Sequence, residues 1–260
     1  MKKLKIILAH GVLGFGKLPG VPAAATYFNG VAAHLGKAGH TIMAPQVNPF
    51  GQVKQRGTEL GHFILGHVAT NERAQVIAHS MGGLDIRYAL SQVAGVAERV
   101  SAVVCIGTPH RGSPVADAIA HRTGPLVKQI PRLLIHQLER NAGALNDLTT
   151  EVCIARDAVM PDVPGIRYID VAGDASRGSH ELLLFRLAAA IGHITGEVND
   201  GVVTRSSALR AGHQHLEDWP VDHGGEVGWS LASALPAEIH LPFLHPPRHL
   251  AWYDAILAAL

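Results

Sequence analysis

The first half of the chain alternates short apolar runs with longer segments whose apolar residues recur at helical spacing. The apolar runs are "LKIILAH" (4–10), "HTIMAPQV" (40–47), "AQVIAH" (74–79) and "RVSAVVCIGT" (99–108). Predicted helices lie between them at 23–39, at 53–69 and from Gly82 onward. Continuous apolar strands that alternate with helices form a mostly parallel sheet covered on both faces. Right-handed crossovers then bring the C-terminal ends of the strands to one edge of the sheet. The sequence therefore predicts an α/β fold.

The alternation stops after "GTPHRGSP" (107–114). Residues 113–150 hold several helical pieces with no predicted strand, and "IRYIDVAG" (166–173) reads as a further strand. The remainder is rich in Gly, Pro and His until "HLAWYDAILAAL" (249–260) closes the chain as a helix. We therefore expect a single domain, 1–260, with a helical cap or lid inserted at about 113–150.

Composition excludes some classes of function. The chain has 260 residues, of which 47% are hydrophobic and 17% charged, and a formal net charge of +1 without a basic run. This argues against a nucleic-acid surface, which needs clustered Lys and Arg. The apolar stretch at the N-terminus is too short for a signal peptide. We expect a cytoplasmic protein, or one secreted without a cleaved signal.

The two cysteines are too few for a disulfide framework. Cys105 lies in an apolar run, where a buried, inert thiol is expected. Whether it pairs with Cys153 stays open at this point.

A serine stands between a predicted strand and a predicted helix in "AHSMGG" (78–83). This strand–turn–helix context is that of a nucleophile elbow, whose tight turn requires small residues beside the serine. Ala78 and Gly82 meet that requirement, although alanine replaces the more usual glycine. Ser80 is therefore the candidate nucleophile. The alternative is a serine that caps an ordinary helix.

A glycine-rich loop, "AHGVLGFG" (9–16), follows the first predicted strand. Backbone N–H groups in such a loop can hold the oxyanion of an acyl-transfer reaction. We predict the Val12 and Met81 amides as these donors. A generic phosphate-binding turn is the alternative, but the segment lacks the G-x-x-x-x-G-K-[ST] order.

A serine hydroxyl needs an imidazole as base, and the imidazole needs a carboxylate to fix its tautomer. In the chain order Ser–acid–His, the leading acid is Asp200 in an Asn-Asp-Gly turn, and the leading base is His223 in a glycine-flanked loop. Asp174 is the second candidate acid. The alternative bases are His180, His213, His215, His240, His245 and His249, of which His180 precedes the acid and violates the order.

These segments, with "LNDLTTE" (145–151) and "DHGGEVGW" (222–229), resemble the bacterial triacylglycerol lipases of the Pseudomonas and Burkholderia type, which are α/β-hydrolases. The resemblance runs in order through nearly the whole chain and is most specific at "GTPHRGSP" beside "AHSMGG". It implies Ser80, Asp200 and His223 as the catalytic triad. It also implies Val12 and Met81 as oxyanion donors.

Members of that family commonly hold a calcium ion near the catalytic histidine, with an aspartate two residues after it as a ligand. Here that position is Gly225, and Glu226 is the nearby carboxylate that follows His223. Calcium prefers several oxygen ligands. We therefore expect no metal and no other cofactor.

The insertion carries an apolar stripe at helical spacing: Leu126, Val127, Ile130, Leu133, Leu134 and Leu138. We expect it to line an acyl pocket, although the stripe could instead pack on the core. The predicted function is that of a serine hydrolase that cleaves carboxylic esters with hydrophobic acyl chains. The alternatives are an acyltransferase, a thioesterase or a polyester depolymerase on the same triad, or an inactive lipid-binding module. The expected partner is a small-molecule or lipid ester, with transient contact at a lipid interface.

Overall fold

The computed structural model describes residues 3–12, 27–122, 124–130, 132, 135–136, 139, 142–178, 182–229 and 249–260. In these residues six strands form one sheet with the order β2-β1-β3-β4-β5-β6, and every neighbouring pair is parallel. The strands are β1 (Lys5–Ala9), β2 (Thr41–Met43), β3 (Ala74–His79), β4 (Val100–Ile106), β5 (Arg167–Val171) and β6 (Gln214–His215). The predicted α/β fold with a parallel sheet is confirmed.

The α-helices of the described residues are α1 (Val31–Lys37), α2 (Val53–His67), α3 (Met81–Gln92), α4 (Pro114–His121), α5 (Ala142–Asp147), α6 (Thr150–Asp157), α7 (Leu182–Thr195), α8 (Arg205–Ala208) and α9 (His249–Ala259). Short 3₁₀ turns lie at Ala97–Arg99, Leu126–Gln129, Ala175–Arg177 and Gly225–Val227. No helix among the described residues combines the length and the apolar content needed to cross a bilayer.

Alternate residues of the strands face opposite sides of the sheet, as the pleat requires. Ile6 and Leu8 of β1 pack in one buried cluster with α1 and α9. Ile7 and Ala9 of the same strand pack in a second cluster with α2 and α3. Both faces are thus covered, which explains why most positions of these strands are apolar.

Among the elements between the fifth strand and the last helix that were not predicted are α7 and β6. α7 has the sequence "LLLFRLAAAIGHIT", in which apolar residues occupy nearly every position and leave no polar face to mark a helical period. β6 has only two residues, too few for any alternation to show. The richness of this stretch in Gly, Pro and His therefore gave no sign of either element.

The described residues between β4 and β5 include α4, α5, α6 and the 3₁₀ turn Leu126–Gln129, and no strand. The role of this insertion as a lid stays a prediction. Cys105 and Cys153 are free, buried thiols. Burial raises the pKa of both thiols, that of Cys153 to about 12, so neither is set up as a nucleophile.

Candidate active site

Ser80 lies at the junction of β3 and α3 in a backbone conformation that is rare for a residue with a side chain. Its φ is 55° and its ψ −130°, a conformation that costs about 1–3 kcal/mol. The Ser80 amide donates to the carbonyl oxygen of Ile106 at 2.9 Å. Its hydroxyl does not cap the helix. The alternative of an ordinary capping serine is therefore wrong, and α3 begins at Met81 rather than at the predicted Gly82.

The glycines after the serine are required by close approach to neighbouring strands. A Cβ at Gly82 would lie 2.4 Å from the carbonyl oxygen of Ala9, and one at Gly83 would lie 2.1 Å from Oγ1 of Thr108. Both distances are well inside van der Waals contact. Side chains at either position would push the turn away from the edge of the sheet.

The structure brings together the three side chains that the sequence singled out. His223 Nε2 lies 3.0 Å from Ser80 Oγ, and His223 Nδ1 lies 2.7 Å from Asp200 Oδ2. The Asp200 carboxylate is 1% exposed, and its Oδ1 accepts the backbone amides of Val202 and Val203 at 2.8 and 2.6 Å. The imidazole thus bridges a hydroxyl and a fixed carboxylate.

The alternative acid and bases are engaged elsewhere. Asp174 accepts the backbone amide of Ser176 at 3.0 Å. The described alternative histidines bond to other groups: His213 to Asp162 and Asp170, His215 to the Arg210 carbonyl, and His249 to the Asn29 carbonyl. His180, His240 and His245 lie outside the described residues.

The loop after β1 runs directly against the serine. A Cβ at Gly11 would lie 2.7 Å from Cβ of Ser80 and 2.6 Å from the hydroxyl of Tyr27. Val12 packs in the same apolar cluster as Met81. Met81 is the first residue of α3, so its amide has no partner within the helix. Both predicted oxyanion donors therefore adjoin Ser80.

His10 fixes the direction of the peptide group between Gly11 and Val12. The Val47 amide donates to His10 Nε2 at 3.2 Å, so the proton of this ring sits on Nδ1 and is donated to the Gly11 carbonyl at 2.8 Å. Burial and the charge of Arg56 lower the pKa of His10 to about 4, which keeps the ring neutral. Because a peptide group is planar and trans, holding the Gly11 carbonyl also orients the Val12 amide.

A buried ion pair that the sequence did not reveal supports this loop. Arg56 donates to Asp85 Oδ2 through Nε at 2.9 Å, and to the carbonyl oxygens of His10 and Asn48 at 2.7 and 2.8 Å. Burial raises the pKa of Asp85 to about 6, against the opposing charge of Arg56. Arg56 looks like a surface residue of a helix in the sequence, so only the tertiary structure shows that it is buried.

Glu226 is a fully buried carboxyl group beside the imidazole of His223. Its Oε2 lies 2.9 Å from His79 Nε2 and 3.5 Å from His223 Nδ1. Burial, together with the charges of Asp200 and Asp222, raises the pKa of Glu226 well above its ordinary value. Sequence reasoning considered Glu226 only in connection with calcium. Its position three residues after His223 is visible in the sequence, but the sequence does not show that its side chain is buried.

The described residues around His223 do not fit a calcium ion. The one group of potential metal ligands there is His79, His223 and Glu226, with two imidazoles and one carboxylate, whereas calcium takes about six to eight oxygen ligands. Gly225 stands where the aspartate ligand is expected. The Gly225 amide donates to Asp222 Oδ1 at 2.8 Å. The Asp222 carboxylate therefore stabilises the backbone of this loop.

Part of the predicted apolar stripe packs in the cluster that contains Met81, the residue after the serine. Leu126 and Ile130 are buried in one cluster with Met81 and Leu84, and Val127 packs against it. Leu133, Leu134 and Leu138 lie outside the described residues. Burial in this cluster is compatible with simple core packing, so lining of an acyl pocket stays a prediction.

Comparison with known proteins agrees with this fold and sequence pattern. A family model described as a PGAP1-like alpha/beta domain matches residues 63–156. A triacylglycerol lipase of Vibrio cholerae is 27% identical over 258 residues, covering 87% of this chain and 80% of the relative. A triacylglycerol lipase of Burkholderia plantarii is 34% identical over 120 residues, covering 44% of this chain and 32% of that one.

The crystal structure of a mature Bacillus licheniformis lipase superposes with a TM-score of 0.69 at 21% identity, covering 85% of each chain. The resemblance noted in the sequence is confirmed. The chain thus shares its fold with this lipase and is similar in sequence to bacterial triacylglycerol lipases.

Proposed function

We propose that this protein hydrolyses carboxylic esters with hydrophobic acyl chains through an acyl-enzyme on Ser80. The observation that carries the proposal is the bridging position of His223, 3.0 Å from the Ser80 hydroxyl and 2.7 Å from Asp200. An inactive lipid-binding module would have no need of this aligned hydroxyl, imidazole and carboxylate, and the strained backbone at Ser80 would cost stability without a return.

In the proposed cycle, Ser80 Oγ attacks the ester carbonyl while His223 Nε2 accepts the hydroxyl proton. Asp200 holds Nδ1–H and stabilises the imidazolium. The proton then passes to the departing alcohol. Water deacylates the enzyme in the same way, with His223 again as the base.

The tetrahedral intermediates place a negative charge on the former carbonyl oxygen. The amides of Val12 and Met81 would hold that oxygen, and the N-terminus of α3 adds its dipole. Removal of one such donor lowers the rate by about 10²–10³ in comparable sites. The packing of the His10–Val12 loop against Ser80 supports this assignment.

The hydrophobic acyl preference rests on the apolar cluster that contains Met81, Leu126 and Ile130. Residues 113–150 would act as a cap whose apolar side faces this cluster. A lipid ester is the natural substrate class, because its acyl chain gains about 0.8 kcal/mol for each methylene group that is buried.

The first test is labelling with a fluorophosphonate, which reacts only with an activated serine. We expect one adduct on Ser80, and loss of both labelling and p-nitrophenyl ester hydrolysis in Ser80→Ala by at least about 10³-fold. Ser91→Ala is the matched control, because the hydrogen bonds of the Ser91 hydroxyl among the described residues all lie within α3: it donates to the Arg87 and Tyr88 carbonyls and accepts from Gln92 Nε2. Hydrolysis retained by Ser80→Ala would refute the proposal. Added alcohol acceptors in the same assay separate hydrolysis from acyl transfer.

The second test is acyl-chain selectivity. Leu126→Ala should change the ratio of kcat/KM for octanoyl and butyryl esters by at least about threefold, since one methylene in a pocket is worth about 1–3 kcal/mol. Leu35→Ala is the control, because Leu35 is equally buried in the cluster on the opposite face of the sheet. An unchanged ratio in Leu126→Ala means that this residue does not line the acyl pocket.

A further inference from the structure

A buried chain of hydrogen bonds passes beneath Ser80 and joins two loops that are far apart in sequence. The Tyr27 hydroxyl lies 2.6 Å from His79 Nδ1. His79 Nε2 lies 3.1 Å from the carbonyl oxygen of His223 and 2.9 Å from Glu226 Oε2. Tyr27, His79 and Glu226 are almost wholly shielded from solvent.

The positions of the protons in this chain follow from its acceptors. Burial and the charge of His223 lower the pKa of His79 well below its ordinary value, so the ring is neutral and has one N–H. The His223 carbonyl can only accept, so that N–H is on Nε2. Nδ1 is therefore an acceptor, and the Tyr27 hydroxyl must donate to it.

The other side of Tyr27 meets the loop that carries the predicted oxyanion donor. The Tyr27 hydroxyl lies so close to Gly11 that a Cβ on this glycine would be 2.6 Å from it. The hydrogen bonds therefore run in one direction, from the Tyr27 hydroxyl through His79 to the carbonyl oxygen of His223, and the Tyr27 end of this chain packs against Gly11. Aligned bonds of this kind strengthen one another in a buried setting.

We infer that His79 and Tyr27 are positioning residues that hold the oxyanion loop at Gly11–Val12 and the loop of His223 in register with each other around Ser80. The inference rests on the proposed function. The hydrogen bonds of the His79 ring go to Tyr27, to Glu226 and to the backbone of His223, not to the Ser80 hydroxyl or the His223 ring nitrogens. The two imidazole rings also pack against each other, with their centroids 4.6 Å apart. His79 acts through two contacts, which we call its two arms. Through Nδ1 it holds Tyr27, which packs against Gly11, and through Nε2 it holds the backbone carbonyl of His223.

The two arms predict different kinetic defects. Loss of the Tyr27 hydroxyl should displace the oxyanion donor. This should lower kcat more for an ester than for a thionoester. In the ester the negative charge develops on oxygen, whereas in the thionoester it develops on sulfur, which is a poorer hydrogen-bond acceptor. Loss of the hydrogen bond from His79 Nε2 to the His223 carbonyl should displace the general base. It should therefore lower kcat for both substrates by the same factor.

The first variant is Tyr27→Phe, which removes one oxygen atom. We expect kcat for p-nitrophenyl butyrate to fall about 10- to 100-fold with KM changed less than about twofold, since complete loss of an oxyanion donor costs about 10²–10³. The ratio of ester to thionoester kcat should fall at least about fivefold. The matched control is Tyr168→Phe, because the Tyr168 hydroxyl also makes a hydrogen bond within the fold but outside the oxyanion loop, accepting the backbone amide of Val163 at 3.0 Å. In Tyr168→Phe, both the kcat for the ester and the ratio of ester to thionoester kcat should equal those of the wild type.

The second variant is His79→Asn, whose amide can replace Nδ1 opposite Tyr27 but cannot reach the position of Nε2. We expect the rates on ester and thionoester to fall by the same factor, about tenfold or more, with their ratio unchanged. Thermal unfolding of each variant fixes an assay temperature at which it is folded.

An equal loss on ester and thionoester in Tyr27→Phe would overturn the inference, as would a kcat within about twofold of wild type. A fallen ratio in His79→Asn would overturn the separation into two arms. Ser80→Ala measured alongside keeps the two proposals distinct. Hydrolysis surviving in that variant refutes the proposed function, whereas normal behaviour of Tyr27→Phe with an inactive Ser80→Ala refutes only the positioning role.

Discussion

Replacement of His10 tests whether one imidazole orients the oxyanion donor. The side chain makes two hydrogen bonds, one to the Gly11 carbonyl at 2.8 Å and one from the Val47 amide at 3.2 Å. His10→Ala removes both. His10→Asn keeps an N–H close to the position of Nδ1, so it can still hold the Gly11 carbonyl, but it leaves the Val47 amide without its partner.

The structure predicts that both variants lose stability, but that only His10→Ala loses much of its kcat. Each buried group left unpaired costs about 1–3 kcal/mol, so the free energy of unfolding should fall by about 1–3 kcal/mol in His10→Asn and about 2–6 kcal/mol in His10→Ala. In His10→Ala the Val12 amide is still present but no longer held in the right direction, so only part of the rate contribution of an oxyanion donor is lost. We therefore expect kcat about 10- to 100-fold lower in His10→Ala, and within about threefold of wild type in His10→Asn.

Urea denaturation and steady-state hydrolysis of a short p-nitrophenyl ester measure the two effects. His249→Ala is the control, because His249 is also buried and bonds a backbone carbonyl, that of Asn29 at 2.7 Å, outside the oxyanion loop. It should lose stability and keep kcat. If His10→Ala and His10→Asn lose kcat by the same factor, or if His10→Ala keeps it, the Gly11 carbonyl bond does not aim the Val12 amide.

Two further predictions concern the turn and the ionisation of His10. Gly82→Ala should lower the free energy of unfolding by more than about 2 kcal/mol, because its Cβ would lie 2.4 Å from a backbone oxygen. Gly36→Ala is the control, because a Cβ at Gly36 would have no neighbour within 4 Å, and it should be neutral or stabilising by up to about 1 kcal/mol. Urea denaturation measures both. The pKa of His10 is lowered to about 4 from 6.5, so the unfolded chain binds a proton there that the folded chain does not, and stability is lost as the pH falls from 6.5 towards 4. Asparagine has no such loss. The stability gap between wild type and His10→Asn should therefore shrink by about 2 kcal/mol between pH 7.5 and pH 5, and a gap that is constant or wider at pH 5 would contradict a neutral buried ring.

The sequence was sufficient for the sheet and the reacting groups because each has a local signature. Most positions of a buried parallel strand are apolar, and β3 has the predicted bounds of 74–79. Ser80 was recognisable from the small residues around it. Asp200 and His223 followed from chain order and from glycine-rich turns, which expose side chains at the ends of strands.

The groups that support the site lack such signatures. Arg56 and Glu226 are charged residues in helical or turn segments, where charge normally indicates solvent exposure. Both are buried, because partners distant in sequence meet them: Asp85 across two helices, and His79 from a strand 147 residues away. A buried charge can be recognised only when its partner is known, and the sequence does not indicate which residues pair.

One part of the supporting network was nevertheless within reach of sequence reasoning. Ala9 and Ala78 are register partners on the neighbouring parallel strands β1 and β3. Each is followed by a histidine, and each histidine is followed by a residue of the site. Since adjacent residues at a strand end point to opposite sides, a strand that presents Ser80 to the substrate directs His79 beneath it. The matching register brings His10 to the same edge, and the Tyr27 ring lies between the two imidazoles, 5.7 Å from one and 5.6 Å from the other. Two adjacent strands that lead into a histidine before a glycine or a serine therefore predict a pair of buried imidazoles at this edge of the sheet, and the sequence carries that part of the pattern at His10 and His79.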